Sequence, residues 1–373
     1  MAEICRPMID VDNASLEYEL NTTTRGKNYY WRTFFPLKQV TRFTVKTIEG
    51  DEGLPIAARR VAFNSKNPKF TRKTIGKREI ELGKYAASRE MDEKEIQEYR
   101  DLQAIASQSS DPSVAQELVD MAYNDVRFCE NSIPAKIEVD ALGIASLGKQ
   151  VFPVSVEGDM ATEDEIDFNV PEENFGGVSV AWTDAKNADG LEDIFNMQAK
   201  VGSAGYGKPM FAIMEDKAFK QLVAQEKVAK RLFPMSKFLD VYSSGMVNLE
   251  AINNYMIKNG YPRLLVIDSW VGFERLDGSQ VNIKPWNENV VLLSQTIELG
   301  KTYWKRKHVE AAEERVSIES QGEFYNVTIE GQRNPDLVTT SAEAYAQVGL
   351  TNRRTKAFIN VTGTAWNGGE KNA

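Results

Sequence analysis

Histidine is almost missing from this chain: His308 is the single one in 373 residues. Most hydrolytic and metal-dependent chemistry uses imidazole as base or ligand, so the composition argues against both. Cysteine is as scarce. Cys5 and Cys129 are too few for a disulfide scaffold or a structural zinc site, which fits a reducing compartment, and the Asn-x-Thr triplets at Asn21, Asn326 and Asn360 then carry little meaning as glycosylation sites. No stretch approaches the roughly 18 uncharged apolar residues of a membrane span. The opening residues Met1 to Cys5 lack the basic segment and apolar run of a secretory signal. Positive charge is not in excess either, with 45 Lys and Arg against 54 Asp and Glu and a net charge of −9. Such a chain has no overall attraction to nucleic acid or anionic membrane.

What is present reads as an ordinary folded protein, 42% apolar and 27% charged. A single core rarely grows past roughly 250–300 residues, so two lobes are expected. The charge is laid out unevenly: residues 1–20 carry −4, residues 21–80 carry +10, and residues 151–200 alone carry −10. A basic N-terminal quarter on an acidic body needs a reason.

Residues 1–38 read as an extended arm, polar and Thr-rich, ending in the aromatic cluster Tyr29, Tyr30, Trp31, Phe34 and Phe35 before Pro36. Val40, Phe43, Val45 and Ile48 then alternate with basic residues, meet a turn at Gly50 to Pro55, and are answered by Val61, Phe63, Phe70, Ile75, Ile80 and Leu82. That is a long hairpin, and two strands alone cannot build a core, so something must cover it.

Met91 to Ile105 reads as an acidic helix. Asp111-Pro112 is a helix start, after which Ala115, Leu118, Val119, Ala122, Val126, Cys129 and Ile133 fall on one face. Pro134 is expected to break or kink that helix, with a second stretch from Ala135 to Leu147. Further on, strands are expected around Val178–Val180, Met210–Met214, Leu264–Ile267, Val290–Ser294, Tyr325–Ile329, Leu337–Gln347 and Lys356–Val361. Helices are expected at Asp189–Lys200, Asp216–Leu232 and Leu249–Lys258, and a hairpin turn at Asp277-Gly278. The result is mixed α+β without a regular βαβ rhythm.

The candidate chemistry is thin. Gly202 to Lys208 matches Gly-x4-Gly-Lys, but Pro209 stands where a magnesium-holding Ser or Thr belongs. The loop also follows a helix and opens a strand, the reverse of a phosphate loop, so it reads as a connector; a nucleotide-dependent enzyme is the remote alternative. His308 lies in a charged stretch with no Gly-x-Ser-x-Gly elbow to serve. Cys129 sits on an apolar helix face as a small hydrophobe, and Cys5 lacks the basic surroundings of a nucleophile. The acidic group Glu157, Asp159, Glu163, Asp164, Glu165 and Asp167 lacks calcium-loop spacing. No catalytic residue, cofactor or metal site is expected. The basic hairpin (Arg42, Lys46, Arg59, Arg60, Lys66, Lys69, Arg72, Lys73, Lys77, Arg78) could track phosphates. Docking on the acidic body of another copy explains both halves of the charge asymmetry with one partner.

Arm, long hairpin, long helix and α+β remainder, in that order, resemble a tailed-phage major capsid protein. The run Lys77-Arg78-Glu79-Ile80-Glu81-Leu82-Gly83 leading into Met91-Asp92-Glu93, the helix ending Ile144 to Lys149, then Asp167-Phe168-Asn169-Val170-Pro171 and Ala181-Trp182-Thr183-Asp184, are similar to the lambda-type major capsid protein E family over most of residues 30–365. The resemblance implies the HK97-like fold. Residues 1–38 would be the N-terminal arm and 39–85 the projecting hairpin, or E-loop. Residues 86–200 and 335–365 would form the peripheral domain, with 112–147 as its spine helix, 201–334 the axial domain and 366–373 a tail. It implies a structural protein that self-assembles into pentamers and hexamers of an icosahedral head around double-stranded DNA held without sequence-specific contacts. The head would be built in the host bacterial cytoplasm, with a separate scaffolding protein, a portal protein and in some cases a decoration protein as partners, and no membrane. An encapsulin-like compartment is the alternative within the same fold. Aromatic and Arg residues dominate interface energetics, so Tyr30, Trp31, Phe34 and Phe35 are the expected arm contacts, and Arg59, Arg60, Phe63, Lys69, Phe70 and Arg72 the expected hairpin contacts.

Overall fold

A computed structural model describes residues 29–49, 76–108, 112–151, 165–233, 247–274, 278–307, 318–332 and 335–366. The arm enters through one helical turn, α1 (Trp31–Phe34), and a short strand, β1 (Leu37–Gln39). β2 (Thr44–Glu49) and β3 (Gly76–Glu81) pair antiparallel, Thr44 opposite Glu81, and form the base of the long hairpin. Only Leu82 separates β3 from β4 (Gly83–Met91). α2 (Glu93–Ala106) starts two residues later than its sequence pattern suggested because Asp92 and Glu95 make a capping box. The Asp92 side chain accepts Glu95 N–H at 2.9 Å while the Glu95 side chain accepts Asp92 N–H at 3.0 Å.

The long helix α3 (Pro112–Leu147) is unbroken through 36 residues, roughly 54 Å. Pro134 was expected to break or kink it, and the helix is not broken there. A proline inside a helix costs about 3 kcal/mol, and here the turns on either side are held by burial of Cys129, Ile133, Ile137, Ala141, Leu142, Ile144 and Ala145. The helix stops at Gly148, whose φ of +70° suits glycine and whose N–H reaches Ile144 O at 2.9 Å.

β5 (Lys149–Val151) pairs with β6 (Glu165–Asp167), and β7 (Phe175–Gly177) follows a 3-10 turn. The strand expected at Val178–Val180 is absent; Val178 N–H turns instead to Gly363 O. After α4 (Gly190–Ser203) and β8 (Phe211–Glu215), the single helix expected over Asp216–Leu232 is two, α5 (Asp216–Val223) and α6 (Glu226–Leu232). The break lies at Gln225, fully buried, whose side-chain oxygen accepts Gly190 N–H at 2.7 Å. α7 (Leu249–Lys258), β9 (Arg263–Ile267), the hairpin β10 (Val271–Glu274) with β11 (Gln280–Ile283), and β12 (Val290–Ser294) come next. The chain closes through β13 (Gly300–Lys305), β14 (Ile318–Gln321), β15 (Asn326–Gln332), β16 (Leu337–Leu350) and β17 (Ala357–Asn360).

Two sheets organise these strands. In the larger one the 14-residue β16 bonds β4 along one edge and β15 and β13 in succession along the other, with β1 and β14 outermost. In the second, the order is β7-β17-β12-β8-β9. Its centre is buried on both faces, as the run Val290-Val291-Leu292-Leu293 suggests. Val290 and Leu292 join the core shared with α3, while Val291 and Leu293 join the core under α4, α5, α6 and α7. Ile213 and Phe358 face the first core, and Ala212, Met214, Ala357 and Ile359 the second. The pairings cross the lobe boundary drawn from the sequence: β17 bonds β12, and β13 and β15 bond β16.

Candidate intersubunit surfaces

Of the four arm residues expected to meet a neighbour, three do not face outward. Trp31, Phe34 and Phe35 are buried in this subunit's own core, with Trp31 edge-on to Phe324 at 5.8 Å. Only Tyr30 keeps part of its surface. The reason is a set of backbone ties that sew the arm down: Leu299 N–H donates to Phe34 O at 2.7 Å, Thr302 N–H to Pro36 O at 3.1 Å, and the Thr302 hydroxyl to Phe35 O at 2.8 Å.

The anchor at the head of the arm is an acid that sequence reasoning passed over. Glu138, fully buried on α3, accepts Tyr30 N–H at 3.2 Å, Trp31 N–H at 2.8 Å and the Ser269 hydroxyl at 3.0 Å. Its carboxylate supplies acceptors to the free N–H groups at the start of α1. Burial pushes its pKa above the ordinary value, and the three hydrogen bonds pull it partly back. A charged residue between Ile137 and Val139 on a helix with an apolar stripe was the available signal.

The hairpin leaves the body from a well-packed base. Ile80 and Leu82 are buried against Tyr303, with Val40 and Val45 beside them. Phe43 lies edge-on to Tyr345 at 5.2 Å under the Lys305 ammonium at 4.3 Å, yet stays 45% exposed. Behind it Glu343 takes Lys84 at 2.5 Å and Lys307 at 2.9 Å. Burial alone would raise the Glu343 pKa, but hydrogen bonds from the two lysines bring it below its usual value. Arg59, Arg60, Phe63, Lys69, Phe70 and Arg72 lie outside the described residues, as do Cys5, His308 and most of the acidic 157–167 loop.

The Gly-rich segment is a connector. It leaves α4 and opens β8, Gly205 and Gly207 have φ of +87° and +89°, and the Lys208 ammonium donates to Gly260 O at 2.8 Å. Cys129 is buried with its Sγ 3.5 Å from Thr340 O, and burial pushes its thiol up to about 11, far from a nucleophile's range. The residues behind the family resemblance do structural work. Phe168 is buried, and Trp182, buried too, donates from Nε1 to Asp193 at 2.9 Å. Asp184 accepts the N–H groups of Lys186 and Asn187 and so shapes the turn ahead of α4.

A family model described as phage major capsid protein E matches residues 12–360. No curated protein matches. Among solved structures, the putative capsid protein of a prophage of E. coli CFT073 aligns with a TM-score of 0.53 and 14% identity, covering 94% of this chain and 99% of that one. A phage-related protein from Bordetella bronchiseptica RB50 aligns with a TM-score of 0.52 and 14% identity, covering 92% of this chain and 96% of that one.

Proposed function

The chain belongs to the phage major capsid protein E family and is a structural, non-enzymatic protein of the virion capsid with the HK97-like fold, and we propose that its copies close into pentamers and hexamers of an icosahedral head. One observation carries this reading. β2 and β3 form a two-stranded sheet of their own, bonded among the described residues to no third strand. A two-stranded ribbon is marginal in water and gains its stability from whatever covers it. A hairpin with a basic excess finds such cover on the acidic body of another copy, and contacts of that head-to-tail kind close into rings.

In this reading residues 1–38 are the arm, 39–85 the hairpin laid over a neighbour, 86–200 and 335–365 the peripheral part around α3, and 201–334 the part nearest the capsomer axis. The head encloses double-stranded DNA without sequence-specific contacts. A separate scaffolding protein and a portal protein take part in its assembly in the host cytoplasm, and a decoration protein is compatible with it. Negative-stain electron microscopy of the chain expressed in bacteria, alone and with a scaffolding protein, tests this. Polyhedra, tubes or rings support it, and a 41.9 kDa monomer under both conditions refutes it.

A further inference from the structure

The second sheet ends in β9, which among the described residues pairs with β8 alone. Leu264-Leu265-Val266-Ile267 is an uninterrupted run of branched apolar residues without proline or charge. A sheet edge of that kind is a template for a further strand. Leu265 and Val266 keep part of their surface, and Arg263 and Asp268 at the two ends are exposed.

β9 runs parallel to β8, so alternate residues turn both backbone groups to the same side. Arg263 N–H donates to Met210 O at 2.8 Å, which sets Arg263, Leu265 and Ile267 toward β8 and Leu264 and Val266 toward the open side. On that side one side chain occupies Leu264. Asn253, on α7, accepts Leu264 N–H at 2.7 Å through Oδ1 and donates from Nδ2 to Leu264 O at 3.1 Å. A carboxamide has an acceptor and a donor side by side, so it satisfies both groups of one residue as a neighbouring strand would. Ile252 and Met256 lie in the same core as Leu264, and this seating of α7 brings Asn253 to the rim of the sheet. Two residues past Val266, Asp268 N–H faces the Tyr30 hydroxyl at 3.4 Å. We propose that Asn253 closes the edge of β9 against pairing with β9 of a second copy.

A second copy is the partner excluded because the strand is its own complement. Two β9 edges related by a two-fold axis and running antiparallel present the same apolar residues to each other, with no charge between Leu264 and Ile267 to oppose the match. Both copies then exchange the outward N–H and C=O groups of Val266 and Leu264, and Asn253 already holds those of Leu264. The inference concerns a contact that the fold prevents, and it holds whether or not shells form. A plain tie between α7 and β9 would use the same two hydrogen bonds, so the test must separate loss of stability from opening of the edge.

The full chain, expressed without a scaffolding protein, is compared as wild type, Asn253→Ala, and Asn253→Ala with Val266→Pro, at one concentration and below the melting point of each. Val266 N–H points away from β8, so a proline there leaves the ladder intact and bars a new strand. Val266→Lys, which puts a charge on the same edge, replaces it if the proline variant loses its circular dichroism. Light scattering after size exclusion measures association, and thioflavin T fluorescence reports strands formed between chains. Asn253→Ala is expected to raise the associated, dye-binding fraction about fivefold or more over wild type, and the added edge substitution to return it to the wild-type level. An Asn253→Ala chain that associates no more than wild type would overturn the proposal. Association that the edge substitution leaves unchanged would overturn it too, since loosened packing would then be the cause.

Discussion

The Glu138 carboxylate accepts the backbone N–H of Trp31 at 2.8 Å across 107 positions of sequence. That bond joins the entry of the arm to the middle of the long helix, and Ser269, on the same carboxylate, adds the loop ahead of β10. Removing the acceptor strands the buried Trp31 N–H and the part-buried Tyr30 N–H. Glu138→Ala is therefore expected to cost about 2–4 kcal/mol, and Glu138→Gln clearly less, measured by urea denaturation.

The same residue gives stability a pH dependence of definite sign. The folded pKa of Glu138 lies above its ordinary 4.5, so the folded state binds more protons between those two values. Its protonation contributes stability fully present below 4.5 and lost as pH rises through the raised value. The nearby Tyr29, raised above its ordinary 10.0 chiefly by burial, titrates well above this window. Denaturation midpoints of wild type and Glu138→Gln across pH 4.5 to 7.5 should show the wild type's relative stability greatest at the acid end; a difference independent of pH would contradict the assignment.

Two glycines should respond oppositely to one methyl group. A Cβ on Gly300 would lie 2.1 Å from Gly349 O and 2.7 Å from the Phe35 ring, so Gly300→Ala must push apart β13 and β16 or dislodge the arm. The expected cost is at the upper end of about 1–3 kcal/mol. Gly143, inside α3, has nothing within 4 Å of its notional Cβ. Gly143→Ala should stabilise by about 0.5–1 kcal/mol, read from paired melting curves.

Glu215 is 1% exposed; it caps α5 by accepting Lys217 N–H at 2.6 Å and pairs with the Lys284 ammonium. Lys284→Met leaves that carboxylate without its cation. Because Lys284 keeps some contact with water, the expected loss is about 2–3 kcal/mol, with part recovered in the double variant Glu215→Gln/Lys284→Met. A double-mutant cycle in urea measures the coupling.

For the hairpin, Arg59→Glu with Arg60→Glu should block particle formation while far-ultraviolet circular dichroism and the melting point of the subunit stay near wild type. Normal particles from this variant would remove these two residues from the contact.

Much of the fold was legible where local pattern and tertiary demand agree. Val290–Ser294 reads as a strand, and Leu249–Lys258 as a helix, with the bounds they have in the structure. Legibility failed where a distant partner decides. The break at Gln225 depends on Gly190, 35 positions away, and Pro134 is tolerated because strands far along the chain pack its helix. The arm shows the same limit at the candidate site. Composition identified Trp31, Phe34 and Phe35 as anchors and assigned them to a neighbour, whereas the structure buries them in the core of their own subunit. The charged, aromatic base of the hairpin could be read from alternation, whereas Glu138 could not, because one acid on an apolar helix carries no direction until its partners are in place.

The central claim is that copies of this chain associate through the hairpin into closed assemblies. Mass photometry of the full chain expressed with a scaffolding protein tests it most directly. The account requires species at pentamer and hexamer multiples of 41.9 kDa, or closed particles far above them. A single peak at the monomer mass at every concentration would contradict it.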